Sequence, residues 1–116
     1  MKNLEQLRAA AALAPSQNLD RSAISKLPAL ILSNGLLATS AFCISDGGGD
    51  NKKDMKRALD ATAGHLAARG LIGAAINSAN GIITDLSARD AIDLQRATSE
   101  ALAFLAYLKR FAEKKN

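Results

Sequence analysis

Few side chains in this sequence have the chemistry for catalysis, and they are scattered. There is one histidine, His65, and one cysteine, Cys43. These counts exclude a metal site built from several histidines or from a Cys–His cluster, and one cysteine excludes an internal disulfide. A thiol nucleophile needs a base beside it, and no histidine lies near Cys43 in sequence. Cys43 reads instead as a small buried hydrophobe. His65 reads as a helix-surface or half-buried residue. Asp90 and Asp93 stand one helical turn apart and could share a proton or a divalent cation. At the start of a helix, however, two carboxylates more simply answer the positive end of the helix dipole. "DGGGD", Asp46 to Asp50, has the glycines of a phosphate loop but no strand before it. The GxxxxGK[ST] and GxGxxG patterns are absent. We therefore expect no enzyme: no catalytic residue, no cofactor and no metal.

What remains is cationic. Lys52, Lys53, Lys56 and Arg57 cluster where a helix should begin. Cations are unfavourable there, so helix stability does not explain them. Asp50 and Asp54 offset them in part. A second cluster, Lys109, Arg110, Lys114 and Lys115, closes the chain at a helix C-terminus, where the dipole welcomes cations. Tyr107, one turn before Arg110, could stack on a base. The net charge is +4 and the pI near 9.5, which suits an anionic polymer and equally a merely soluble surface. With one such aromatic, binding to phosphates is within reach and base-by-base reading is not. Lys52, Lys53, Lys56, Arg57, Lys109 and Arg110 are the candidate nucleic-acid contacts.

These residues must be positioned by helices. The 116 residues include one Tyr, three Phe, no Trp and no Val, while Ala and Leu dominate. Ala and Leu favour helix; β-branched and aromatic residues carry strands. The expected fold is all-α, a single domain over 1–116 made of about five to six helices with a long C-terminal one. The N-terminal stretch is too short and too charged for a signal peptide, and Leu4, Leu7, Ala11 and Ala14 follow helical spacing up to Pro15-Ser16. The uncharged run Leu27–Ser45 approaches the length of a membrane span, but Ser33-Asn34-Gly35 interrupts it. Asn-Gly favours a helix end, so two buried helices joined by a tight turn are expected, with Pro28 kinking the chain near Lys26–Leu27. Residues 45–53 should form a flexible loop, with Asp50 or Asn51 capping the next helix. That helix runs to Arg69 with Met55, Leu59, Ala63 and Leu66 as its buried stripe, and Gly70 ends it. A short helix over 72–79 is then expected, closed by Asn80-Gly81. The last helix starts from an Ser87 N-cap, which puts Asp90 at its third position. Its seam is Ala91, Leu94, Thr98, Ala101, Leu105, Leu108 and Ala112, widened by Phe104 and Phe111. Arg89, Asp93, Arg96, Glu100, Ala103, Tyr107, Arg110 and Lys114 face outward.

Two segments carry a family likeness. "LPALILSNGLLATSAF" (Leu27–Phe42) resembles the LP-x-L-I-x-x-N-G-L-x-x-x-x-A-F signature of the small helical subunit of type III-B CRISPR effector complexes, the RAMP-module or Cmr type. "ATSEALAFLAYLKRFAE" (Ala97–Glu113) resembles that family's C-terminal signature, fL-x-W-L-K-R-F-A. Tyr107 replaces the frequent Trp and Leu94 a common Tyr, and both keep an apolar body.

The resemblance implies a cytoplasmic, non-catalytic subunit of an RNA-guided antiviral ribonucleoprotein. Its copies stack head to tail beside backbone subunits that hold the CRISPR RNA. They contact the large subunit and the guide–target region, and target cleavage belongs to the backbone subunits. Within the matched segments, Leu27, Leu30, Ile31, Phe42, Leu105 and Leu108 are read as core and Asn34-Gly35 as a helix cap. Lys109-Arg110 is the matched pair that could touch RNA or a partner. The expected partners are therefore the other effector subunits, further copies of this chain, CRISPR RNA and target RNA. The alternative is a helical adaptor that binds only protein.

Overall fold

The computed structural model describes residues 1–114. Among them are seven helices and no strand: α1 (Leu4–Ser16), α2 (Arg21–Ile24), α3 (Leu27–Asn34), α4 (Leu36–Ile44), α5 (Asp50–Ala68), α6 (Ala79–Leu86) and α7 (Ala91–Phe111). The all-α expectation and the long last helix stand; the count reaches seven because α2 is a single turn of 4 residues.

Asn3 starts α1 with a capping box: its side chain accepts from the Gln6 N–H, and the Gln6 side chain accepts from the Asn3 N–H. Pro28 begins a helix instead of kinking one. It occupies the first turn of α3, where its missing N–H has no partner to lose, so α2 and α3 are separate helices. Gly35 breaks α3 from α4 with φ at +94°, as the Asn34-Gly35 pair suggested. A side chain there would be strained in the left-handed region.

Three expected boundaries move. The loop over 45–53 is shorter than expected, because α5 already begins at Asp50 with Gly49 as its N-cap. Neither Asp50 nor Asn51 caps it. The expected helix over 72–79 does not form. Asn80-Gly81 opens a helix there instead of closing one: Ser78 is the N-cap of α6 and accepts from the Gly81 N–H at 3.0 Å. Asp60 of α5 accepts the Ala79 N–H at 2.8 Å, so two acceptors meet the orphan donors of that first turn. Finally, Ser87 is the C-cap of α6, and α7 starts with Asp90 at the N-cap and Asp93 in the first turn.

The core is one cluster. It includes Ile24, Leu27, Ile31, Leu36, Leu59, Leu66, Ile82, Leu86, Phe104, Leu105 and Leu108. The expected α5 stripe of Met55, Leu59, Ala63 and Leu66 is buried, as is Cys43. Burial pushes the Cys43 thiol up to about 11, which keeps it protonated near neutrality. α7 packs against α1, α2, α3 and α5. Its buried set is Ala97, Glu100, Ala101, Phe104, Leu105 and Leu108. The expected seam therefore holds only from Ala101 onward: Ala91 is exposed, Leu94 and Thr98 are half-buried, and Phe111 is 37% exposed. Phe42, expected in the core, is 52% exposed. Its position six residues past Leu36 turns it away from the face that α4 buries through Leu36, Thr39, Ser40 and Cys43.

Candidate nucleic-acid interface

The first basic cluster sits on the opening turns of α5, and its four members meet different fates. Lys52 folds back on the preceding loop. Its Nζ donates to Ser45 Oγ at 2.7 Å and to the Asp46 carbonyl at 3.3 Å, and it lies 5.0 Å from the Phe42 ring centroid. Lys56 pairs with Asp60 at 3.1 Å, one turn on. Arg57 pairs with Asp54 at 3.2 Å, yet its side chain keeps 63% of its exposure. Lys53 is exposed. Three of the four thus have local partners, and Lys53 together with the still well-exposed Arg57 are the members best placed to meet an external anion.

The second cluster lies at the C-terminal end of α7. Lys109 and Arg110 are exposed on its last turns, and Lys114 is exposed beyond them. Lys115 lies outside the described residues. The structure adds a cation that sequence reasoning did not single out. Arg21, the first residue of α2, donates from Nε to the Ala112 carbonyl at 2.9 Å, and its N–H donates to the Glu113 carbonyl at 3.0 Å. This ties α2 to the end of α7, and Arg21, Ala106, Lys109 and Arg110 line an open cleft of about 420 Å³. At the same N-terminal end of α2, the Asp20 N–H donates to Asp54 Oδ2 at 2.9 Å. The carboxylate of Asp54 thereby serves both the start of α2 and Arg57. α2 is therefore the bridge between the two clusters, whose nearest members, Arg57 and Lys109, lie 52 residues apart in sequence.

A second ionic group lies further back along α7 and was misread from the sequence. Glu100, expected to face outward, is 7% exposed, and His65, expected at or near the surface, is 4% exposed. Arg8 of α1 grips Glu100 through two parallel bonds, Nε to Oε2 and Nη2 to Oε1, both 2.8 Å. His65 Nε2 lies 2.8 Å from Glu100 Oε2. The Arg8 hydrogen bonds hold the Glu100 carboxyl down at about 2, with burial opposing and His65 assisting. An ionised carboxylate only accepts, so His65 Nε2 carries the hydrogen in this bond. The His65 ring stacks on Phe104, with centroids 4.7 Å apart and planes 14° from parallel.

Both Glu100 oxygens are engaged, by Arg8 and by His65, so the cluster ties α1, α5 and α7 together. Among the described residues, no group of three or more His, Cys, Asp and Glu side chains is arranged to hold a metal ion. No helix of the described residues is long and apolar enough to cross a membrane.

The sequence did hold a signal for Glu100. Ala97, Glu100, Phe104 and Leu108 step by three and four along α7, a buried register of their own. The charge of Glu100 masked it. No local pattern marks Arg21, because its role depends on where α2 lands.

No curated protein and no solved structure matches the chain. A family model described as CRISPR-associated protein (Cas_Cmr5) matches residues 4–115. That span runs from the first residue of α1 to beyond the end of α7 and takes in both signature segments, both basic clusters and the buried tie. The chain therefore belongs to the Cas_Cmr5 family, the small-subunit family of the CRISPR-associated Cmr (type III-B) complexes.

Proposed function

We propose that this protein is a non-catalytic subunit of a cytoplasmic type III-B effector ribonucleoprotein, and that it helps hold the guide–target RNA by charge. In this reading, copies stack along the filament beside the backbone and large subunits, and chemistry on the target is left to other chains. The observation that carries the RNA contact is the cationic cleft of Arg21, Lys109 and Arg110, bridged through α2 to Arg57. Its cations are exposed and concave in arrangement, and phosphates bind by charge neutralisation and counterion release. Single copies gripping a few phosphates bind weakly, and a row of copies gains through avidity.

The test is reconstitution of a guide-loaded effector with and without this chain, reading retention of the complementary RNA. Retention should rise when the chain is added and fall back for the Lys109→Gln, Arg110→Gln variant. A complex that incorporates the chain yet holds target no better would refute the RNA role.

A protein-only adaptor is the second reading, and one observation favours it. Leu30, Phe42 and Met55 line an apolar groove between α3, α4 and α5, with Lys26 and Lys52 at its rim. Exposed Phe42 and Leu32 are costly to leave in water. Firm assembly with the other subunits, combined with salt-independent RNA retention, would select this reading.

A further inference from the structure

Beside the buried Arg8–Glu100 pair, the surface opens into a cleft of about 540 Å³ lined by Arg8, Arg69, Leu71, Gln95, Arg96, Ser99 and Glu100. Three guanidinium groups thus converge from three helical segments: Arg8 from α1, Arg69 from the end of α5, and Arg96 from α7. One carboxylate, Glu100, faces them, which leaves a surplus of two positive charges. That carboxylate is spoken for by Arg8 and His65. Arg69 and Arg96 form no ion pair with the described residues, and both are exposed.

Holding like charges together without a counter-charge is unfavourable, so the arrangement suits an anion from outside. The fork geometry of guanidinium matches an oxyanion with paired acceptors. Ser99 and Gln95 add neutral donors to the cleft. Two of the five N–H donors of Arg8 are used by Glu100, and the others are free to serve a ligand.

The position of this cleft on α7 gives it a direction. Gln95, Arg96 and Ser99 lie on the exposed side of the helix, and so do Ala106, Lys109 and Arg110. Arg96 and Arg110 are separated by nearly four whole turns, so they share a side and stand about 20 Å apart. Between them the side presents Ala103, Ala106 and the half-buried Tyr107. A cationic cleft thus stands at each end of one open helix face.

We propose that the Arg8–Arg69–Arg96 cleft is a phosphate-binding site, and that it takes a phosphodiester of an RNA strand running along the exposed face of α7 to the Arg21–Lys109–Arg110 cleft. The RNA source rests on the function proposed above; the phosphate chemistry rests on the cleft alone.

The test uses the full chain in low salt, with backbone and arginine side-chain NMR signals followed during titration. Inorganic phosphate should shift Arg69, Arg96 and Ser99 signals saturably. A single-stranded RNA should shift the same signals at lower concentration and reach Lys109 and Arg110 as well. The double variant Arg69→Gln, Arg96→Gln changes two exposed residues, and an unaltered thermal melt would show that it folds. It should lose the phosphate shifts and lower the log–log salt slope of RNA binding by about 0.7 for the one phosphate released.

Phosphate shifts at the cleft without any RNA shift there would overturn the RNA track. Absence of both, or shifts with an acidic peptide in their place, would overturn the site. RNA shifts confined to Lys109 and Arg110, with the double variant indistinguishable from wild type, would overturn this inference and leave the proposed function standing. Failure of that function would look different: no RNA shift at either cleft.

Discussion

Two ionic regions on α7 obey opposite rules. The Glu100 carboxylate is fully matched: Arg8 of α1 and His65 of α5 engage both of its oxygens, and Glu100 and His65 are buried. Around Arg110 the charges are exposed and share one sign, with Arg21 and Lys109 as neighbours. Burying a charge is costly unless it is paired and hydrogen-bonded, so the first region can exist only as a complete set. The second avoids that cost by remaining in water, and it keeps its charge available for a partner. The contrast shows how one helix can combine a staple that fixes its packing with a surface that contributes little to stability.

The largest expected effect comes from breaking the staple. Glu100→Ala leaves Arg8 and His65 without their acceptor, and removal of one partner from a buried pair costs about 3–5 kcal/mol. Urea unfolding should show the loss as a lowered midpoint. If the variant unfolds like wild type, the buried pair is not the tie described here.

Acid should single out the same group. The folded-state carboxyl of Glu100 is depressed from its ordinary value near 4.5 to about 2. Its contribution is therefore fully present above about pH 4.5 and is lost as pH falls toward 2. Thermal melts across that window should fall more steeply for wild type than for Glu100→Gln. Parallel curves would mean that other carboxylates govern acid unfolding.

Changing the exposed region should do the reverse. Lys109→Gln with Arg110→Gln should leave stability within about 0.5 kcal/mol. It should flatten the log–log salt slope of RNA binding by about 1.4, for two phosphates at about 0.7 each. A large loss of stability in this variant would erase the distinction between the two regions.

The smallest effect sharpens the comparison inside the α5 cluster. Lys56 is already paired with Asp60 on the surface, and such pairs contribute little. Lys56→Gln should change stability by less than about 0.5 kcal/mol and the salt slope less than Lys53→Gln does. Equal slopes for the two variants would show that the local pair opens freely to admit phosphate.

The residues that sequence reasoning placed well are those governed by their immediate neighbours. Asn34-Gly35 ends a helix because of the backbone freedom of glycine at that point. The α5 stripe follows from periodicity. The errors fall where distant residues decide. Asn80-Gly81 looked like a helix end by the same logic as Asn34-Gly35. It opens α6 because Ser78 and Asp60 supply acceptors to the new first turn, and Asp60 lies 19 residues away from Ala79. Phe42 matched a hydrophobic pattern but stands off the face that α4 buries, half-exposed in the groove beside α3 and α5.

Composition and spacing by themselves determined that the chain is helical, that Asn34-Gly35 and Gly70 end helices, and that its reactive side chains are few and scattered. These depend on propensity and period, which act over a few residues. Tertiary structure alone decided that Glu100 is buried, that His65 stacks on Phe104, that Arg21 joins Lys109 and Arg110, and that Arg8, Arg69 and Arg96 share one cleft. Each of those joins residues from separate helices. A helical repeat fixes which side chains share a face, but the partner of that face is set only when the helices dock.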